Sequence, residues 1–557
     1  MRKSRLFQFS GLLIAFSLFL SSCSALSSLG ADKVVVTMVY GSEKEDWLVP
    51  LVEAFNQANH KVESGAVIEI EAIPMGSIES AREINAGTIQ PTVWSPASSI
   101  YLPVANAEWR QNHADDLYSG TPNDLVLSPV VIAMWKPMAE ALGWPDKDLG
   151  WSDIGEMAFS EEGWTAYGYP EWGNFKFGHT HPEYSNSGIC AVIASTYAGA
   201  GKQRGLTAAD LADQQVIDFL SAVEKSIIHY GSSTGFFASR MFERGPSYLS
   251  AAVMYENLVV HQENERLTGA SNQMPVVAIY PKEGTFWSNH PYIVLNASWV
   301  TDEQREAAGL FEDYLLDKPQ QLLAIEYGFR PADPSIPLTT PLDENHGVDP
   351  RQPQTVLEVP DADVIRGIEE LWYEVKKPVD LVLVVDASGS MGGEKINAVR
   401  SSLVQFTDLL GDRDRLEILT FNYEIHELTP LTELGDKRAD VQRRVSGIIE
   451  EGDTRLYDAV LKAYQDLNEF GDPDHIRAIV VLSDGQDTAS GNALDAVLAT
   501  IGSHSESGDA TKVFSIAYGA DADEDVLKNI AEITGGREYF GEPDTIQEIY
   551  KAIATFF

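Results

Sequence analysis

Apolar positions fall into two alternating rhythms from about residue 34 onward. "KVVVTMVYGS" predicts a strand and loop, "EDWLVPLVEAFNQAN" an amphipathic helix, and "AVIEIEAIPMGS" a second strand ending in Gly-Ser. Strand, helix and strand in that order predict βαβ units and a parallel sheet. The rhythm returns near the C-terminus. There "LVLVV", "RLEILTFN", "IRAIVVLS" and "KVFSIAYG" alternate with helical stretches such as "YDAVLKAYQDLNEF" and "DEDVLKNIAEIT". Short, mostly β-branched runs suit strands buried on both faces, and a doubly wound sheet is expected.

Between the two series the pattern lapses. Residues 331–356 are rich in proline and turn formers, which predicts a connection lying along the surface. "DADVIRGIEELWYEVKK" then predicts a helix with Ile365, Ile368, Leu371 and Trp372 on one face. The expected organisation is a first α/β module at 33–350, a linker and connecting helix at 351–377, and a second α/β module at 378–557.

The N-terminus has its own pattern. Arg2, Lys3 and Arg5 precede "LLIAFSLFL", too short to span a bilayer comfortably but suited to the core of a signal peptide. Leu20-Ser21-Ser22-Cys23 resembles the bacterial lipobox. That resemblance implies cleavage after residue 22, lipidation of Cys23, a tether over 23–32 and anchoring to the outer face of a bacterial cell membrane. Cys190 is the only other cysteine, so no intrachain disulfide remains after lipidation.

Charge narrows the partners. With 83 acidic and 40 basic residues the formal net charge is −43, which argues against nucleic acid and anionic membrane faces.

Small polar residues recur after the strands of the first module, at Ser42, Ser77 and Ser98, and each is also ordinary turn or cap chemistry. Asn186 and Ser187 open a small-residue helix, where free amides favour an oxyanion or carboxylate and a capping role is equally open. His179, His181 and Glu183 lie close by, but a His-x-His pair without further spaced ligands is weak support for zinc. The order of "SPVVIAMW", "HTHPEYSNSG", "YEN", "YPKEGT" and "GFRP" resembles extracytoplasmic solute-binding proteins of the second structural type, over Val34 to Pro331. The resemblance implies two α/β lobes that close on a small solute or peptide. The expected contacts are Ser42, Ser77, Ser98, Asn186 and Ser187, with Tyr255 and Glu256 from the other strand system.

In the second module three loops carry oxygen donors after strands or before a helix: Asp386, Ser388 and Ser390; Thr454; and Asp484. A phosphate-binding loop would need Gly-Lys-Ser/Thr, which "GSMGGEKI" lacks. A phosphotransferase of the Asp-x-Asp type would need a carboxylate at Ser388, and a serine hydrolase a nucleophile elbow. The constellation resembles the von Willebrand factor A (VWA) domain and its metal-ion-dependent adhesion site, with Asp453 where many members have glycine. The resemblance implies one divalent ion, Mg²⁺ by its hard oxygen donors, with a position open to an acidic group on a protein partner.

The fold class expected is therefore α/β: a two-lobe, type 2 periplasmic-binding-protein-like module followed by a doubly wound, Rossmann-like VWA domain. The expected function is non-enzymatic, a lipid-anchored binding protein joining solute capture to Mg²⁺-dependent adhesion. The alternative is the substrate receptor of an ABC importer, with the VWA domain as docking element.

Overall fold

The computed structural model describes residues 33–503 and 510–557. The signal segment, Cys23 and the whole tether lie outside the described residues.

The first strand, Lys33–Tyr40, turns Val34, Val36 and Met38 inward, and the chain reverses over it through the helix Glu45–Ala58. That helix buries Trp47, Leu48, Leu51, Val52 and Phe55 along one stripe. Lys33–Tyr40 then pairs parallel with Val67–Pro74 on one side and with Val93–Ser95 on the other. Pro291–Val294 arrives from much later in the chain to pair antiparallel with Val93–Ser95 and with Asn123–Asp124, completing a five-stranded sheet.

A second sheet is built on Val126–Trp135, which pairs with Ala251–Tyr255, Val276–Ile279, Trp287–Ser288 and Arg330–Pro331. The chain leaves the first sheet at Asp124 and returns to it at Pro291, so the two lobes share two crossings. Pro129 is tolerated inside the long strand where the ladder is short, opposite Trp287.

The C-terminal module is a six-stranded sheet in the order Ile425–Glu433, Arg415–Phe421, Val379–Asp386, Ile476–Ser483, Lys512–Tyr518, Glu538–Gly541. All pairings are parallel except the first, a hairpin. Every residue of the central Val379–Asp386 strand is buried, as the β-branched run requires.

The modules are not beads on a string. Ile336, Leu342, Val348 and Leu357 of the connection are buried, and Thr285 bridges to Val356. The helix Ala362–Val375 inserts Ile365, Ile368 and Trp372 against the second lobe, and one apolar core continues through it into the C-terminal module. Phe514 and the terminal Phe556 and Phe557 close that junction, with the Tyr230 amide donating to the Phe556 carbonyl at 3.3 Å.

Inside the C-terminal module a buried acid pair makes stability depend on pH. Burial first, and then Asp466, push the Glu417 carboxyl from its ordinary 4.5 up to about 8. Unfolded, the same group ionises near 4.5, so between those values the folded chain holds the extra proton. Its contribution is fully present below about 4.5 and is lost as pH rises through about 8. Glu417→Gln should therefore be more stable than wild type at pH 8.5 and lose most of that advantage by pH 5.5. Urea midpoints at the two pH values check this, and a difference independent of pH would count against it.

Candidate metal centre and interlobe cleft

The strand Val379–Asp386 ends at the sheet's C-terminal edge, which puts Asp386 at the base of a loop. Asp386 is fully buried: Oδ1 accepts the Ser388 amide at 2.8 Å, and Oδ2 accepts the Ser483 hydroxyl at 2.6 Å. A chain of oxygens leads outward from there. The Ser388 and Ser390 hydroxyls are 2.9 Å apart, and Ser390 donates to Asp484 Oδ1 at 2.7 Å. Asp484 follows the neighbouring strand Ile476–Ser483, so adjacent parallel strands deliver the two carboxylates side by side.

The third loop is tied in by backbone. The Gly389 amide donates to the Gly452 carbonyl at 3.0 Å and the Glu451 amide to the Ala387 carbonyl at 2.8 Å. Gly452 takes φ +78°, a left-handed turn that glycine adopts without strain. Thr454 follows, just before the helix Leu456–Phe470. A Cβ built on Gly485 would lie 3.8 Å from the Thr454 hydroxyl and 3.9 Å from that of Ser390, so both hydroxyls converge over one bare backbone position. Asp453 is exposed beside them.

This donor set fits a hard divalent cation. Burial, and then the neighbouring Asp484, push the Asp386 carboxyl above its ordinary range, against the hydrogen bonds from Ser388 and Ser483. Among the described residues one cation answers the pair, the Lys395 ammonium, 2.6 Å from Asp484 Oδ2. Lys395 and Ser483 complete the site and were not legible as members of it. Among the described residues no cluster of three His, Cys, Asp or Glu side chains could hold a metal, so two carboxylates with hydroxyls are the set on offer.

The second candidate is an interlobe cavity of about 620 Å³. Ser42, Glu45, Asp46 and Glu79 line it from the first lobe, and Phe236 and Asn257 from the other side. Of the sequence-predicted contacts, Ser42 is on this wall, and its buried hydroxyl has no hydrogen-bond partner. The rest do not line the cavity. Ser77 accepts the Ala97 amide at 2.9 Å. Ser98 donates to Asn186 at 2.6 Å, and Asn186 donates to the Tyr255 hydroxyl at 3.0 Å. Ser187 bonds Thr180 and Thr234, and Glu256 is ion-paired with Arg330.

The start of the Asn186 helix, expected among the solute contacts, does not open into the cavity. Thirteen of the fourteen residues of Asn186–Gly199 are buried, and a Cβ on Gly188 would lie 2.1 Å from the Thr180 carbonyl. A helix apolar on all sides sits inside its lobe, start included. His179 is bound to Glu224 at 3.1 Å, and His181 packs edge-on against Trp372.

Charge along the cavity wall is uneven. Burial acts to raise Glu43, yet Lys44 at 3.0 Å and His290 at 3.2 Å outweigh it and hold the carboxyl at about 2. Glu45 and Glu79 are instead pushed upward, first by burial, then by Asp46 in one case and by Glu83 and Glu548 in the other, Lys551 opposing the second.

Family comparisons agree with the two modules. Residues 36–330 match the bacterial extracellular solute-binding protein model and residues 380–552 the von Willebrand factor type A domain model. Inter-alpha-trypsin inhibitor heavy chain H2 of Homo sapiens is 28% identical over 185 residues, 31% of this chain and 19% of that protein. The chain thus spans about a fifth of the length of the first curated relatives it matches. Among solved structures, a periplasmic thiamin binding protein aligns with 63% of this chain and 99% of its own, at 11% identity and a TM-score of 0.45. A von Willebrand factor type A protein from Catenulispora acidiphila aligns with 32% of this chain and 42% of its own, at 20% identity and a TM-score of 0.29. With more than half of its length matched by the first model, the chain belongs to the bacterial extracellular solute-binding protein family, and it carries a von Willebrand factor type A domain behind the solute-binding module.

Proposed function

We propose that this is an extracytoplasmic binding protein, lipid-anchored through Cys23, that captures a small solute between its lobes and a protein partner through Mg²⁺ on its VWA domain. The reading is of a binding protein and not an enzyme. The observation that carries it is the convergence of Asp386, Ser388, Ser390, Thr454 and Asp484 at one sheet edge. The opposite edge of that sheet, at Ile476, Lys512 and Arg537, faces the solute-binding module, which leaves the carboxylate edge free for a partner. Asp386 and Asp484 would hold the ion with the three hydroxyls. Bound there, Mg²⁺ would supply an electrophilic position for a partner's carboxylate. The protein's own part is to hold the oxygens in place: the Ser483 hydroxyl orients Asp386, and Lys395 balances Asp484.

The test is calorimetric titration of Mg²⁺ into the full-length protein. Wild type should give a one-site isotherm, and Asp386→Ala should lose it while keeping its circular dichroism, because Asp386 is the last residue of its strand and the other donors lie on loops beyond it. Equal affinity in both proteins would return these loops to the status of helix caps. The open interlobe cavity also favours the importer reading, with the VWA domain docking a transporter. Co-purification of a permease with the anchored protein would select it.

A further inference from the structure

We infer that the solute taken by the interlobe cavity is an organic cation, its ammonium or guanidinium end held between Glu45, Asp46 and Glu79. This rests on reading the cavity as the solute site. The wall is a built surface and not only a patch of acid. Its volume, about 620 Å³, suits a small molecule, and Tyr327 supplies an aromatic side chain to the wall, while the Phe236 ring is already taken by Arg240 at 5.3 Å and Arg537 at 4.8 Å.

Charge decides the class of ligand. Among the described residues no lysine or arginine lines the cavity. Glu43, the fourth carboxylate there, is already satisfied by Lys44 and His290. Lys551 reaches Glu79 at 3.9 Å from outside the wall, but its closer partner is Glu83. His261 stands at the rim between Asp46, at 3.8 Å, and Glu265, at 3.7 Å. The raised carboxyls of Glu45 and Glu79 fit the same picture, since burial and like charge act on both. A cation entering beside these carboxylates is attracted to them, whereas an anion is repelled. The starts of the helices Glu45–Ala58, Ser77–Ala86 and Thr234–Arg244 favour negative charge along the wall; Glu45, Asp46 and Glu79 already answer the first two, and the third can receive a polar end of the same molecule.

The buried unpartnered Ser42 hydroxyl is an independent sign of a ligand in this place. It lies 3.5 Å from where a Cβ of Gly235 would be, so the two lobes approach to within a side chain of each other there. Gly235 leaves that gap open.

Six probes test the inference in the full-length protein with EDTA present, by calorimetry at constant ionic strength: arginine, choline and spermidine against glutamate, sulfate and glucose. At least one cation should bind saturably, and Glu45→Gln/Glu79→Gln should weaken it tenfold or more without moving the thermal midpoint. Ser42→Phe, which fills the cavity, should abolish it. Saturable binding of glutamate, sulfate or glucose alone, lost in Ser42→Phe, would overturn the cation inference and leave the cavity as the solute site. Cation binding that survives both variants would overturn the inference by placing the site elsewhere. Silence from all six probes would overturn the inference and the solute-site reading together.

Discussion

Trp372→Ala should destabilise the whole chain by about 3–5 kcal/mol, the range for truncating a fully buried tryptophan. Trp372 is the hinge pin between the modules. It lies on the helix that leads into the VWA strand, yet its indole is fully buried in the solute-binding module. The ring meets His181 at 4.8 Å and Tyr230 at 5.3 Å, both edge-on, the geometry in which aromatic pairs attract. Its N–H donates to Glu224 Oε2 at 3.0 Å, and Glu224 also receives the Tyr230 hydroxyl at 2.7 Å and faces His179. Deleting the ring opens a cavity and strips a donor from a buried carboxylate at the same time. Trp372→Phe keeps most of the apolar volume and loses only the donor, so its cost should be about 1–2 kcal/mol. Urea unfolding followed by circular dichroism gives both numbers. Equal costs in the two variants would mean that packing contributes little here and that the hydrogen bond dominates.

The same residue shows what could be read without the structure. Ile365, Ile368, Leu371 and Trp372 fall on one helical stripe, and the stripe is buried as its spacing requires. Periodicity says that a face is covered but not by what, so the partners His181, Tyr230 and Glu224, some 140–190 residues earlier, were invisible. The loop Asp386–Ser390 was legible for a different reason. A fully buried parallel strand must end at a sheet edge, and oxygen donors placed directly after it can go nowhere else.

Two elements escaped because their signals were weak or pointed elsewhere. The strand Ile425–Glu433 lies at the sheet's edge, largely unburied and with Pro430 inside it, so it lacks the apolar run that betrays the central strands. Glu45, Asp46 and Glu79 sit in the first turns of helices, where acidic residues are the ordinary complement of the helix dipole. Only the fold shows that those two helix starts face one cavity. The Asn186 helix is the reverse case: "SGICAVIASTYAG" is apolar or small on every side, the mark of a wholly buried helix, and that signal outweighs the capping pattern at its start.

Glu256→Ala should cost about 3–5 kcal/mol, the penalty for leaving one half of a buried ion pair without its partner. Glu256 is fully buried, and Arg330 nearly so. The guanidinium donates Nε to Oε1 at 2.8 Å and Nη2 to Oε2 at 2.6 Å, a two-pronged pair, while the Tyr280 hydroxyl donates to the same carboxylate. Arg330 also reaches the carbonyls of Pro350 at 3.1 Å and Asp349 at 3.3 Å and lies over the Trp287 ring at 5.2 Å. One side chain thereby gathers the helix Glu256–Thr268, the strand Arg330–Pro331 and the connection to the VWA domain. Burial pushes the Glu256 carboxyl upward and Arg330 opposes it, so removing Arg330 alone leaves an acid that protonates instead of a stranded charge. Removing Glu256 has no such escape, because a guanidinium does not give up its proton. Arg330→Met should therefore cost less than Glu256→Ala, and Glu256→Leu/Arg330→Met should recover most of the loss by removing both charges at similar volume. Urea midpoints of the three variants decide between this role and solute contact. If Glu256→Ala unfolded within about 1 kcal/mol of wild type, as exposed pairs do, the pair would not be holding the lobe to its connection, and Glu256 would be free to act as a solute ligand.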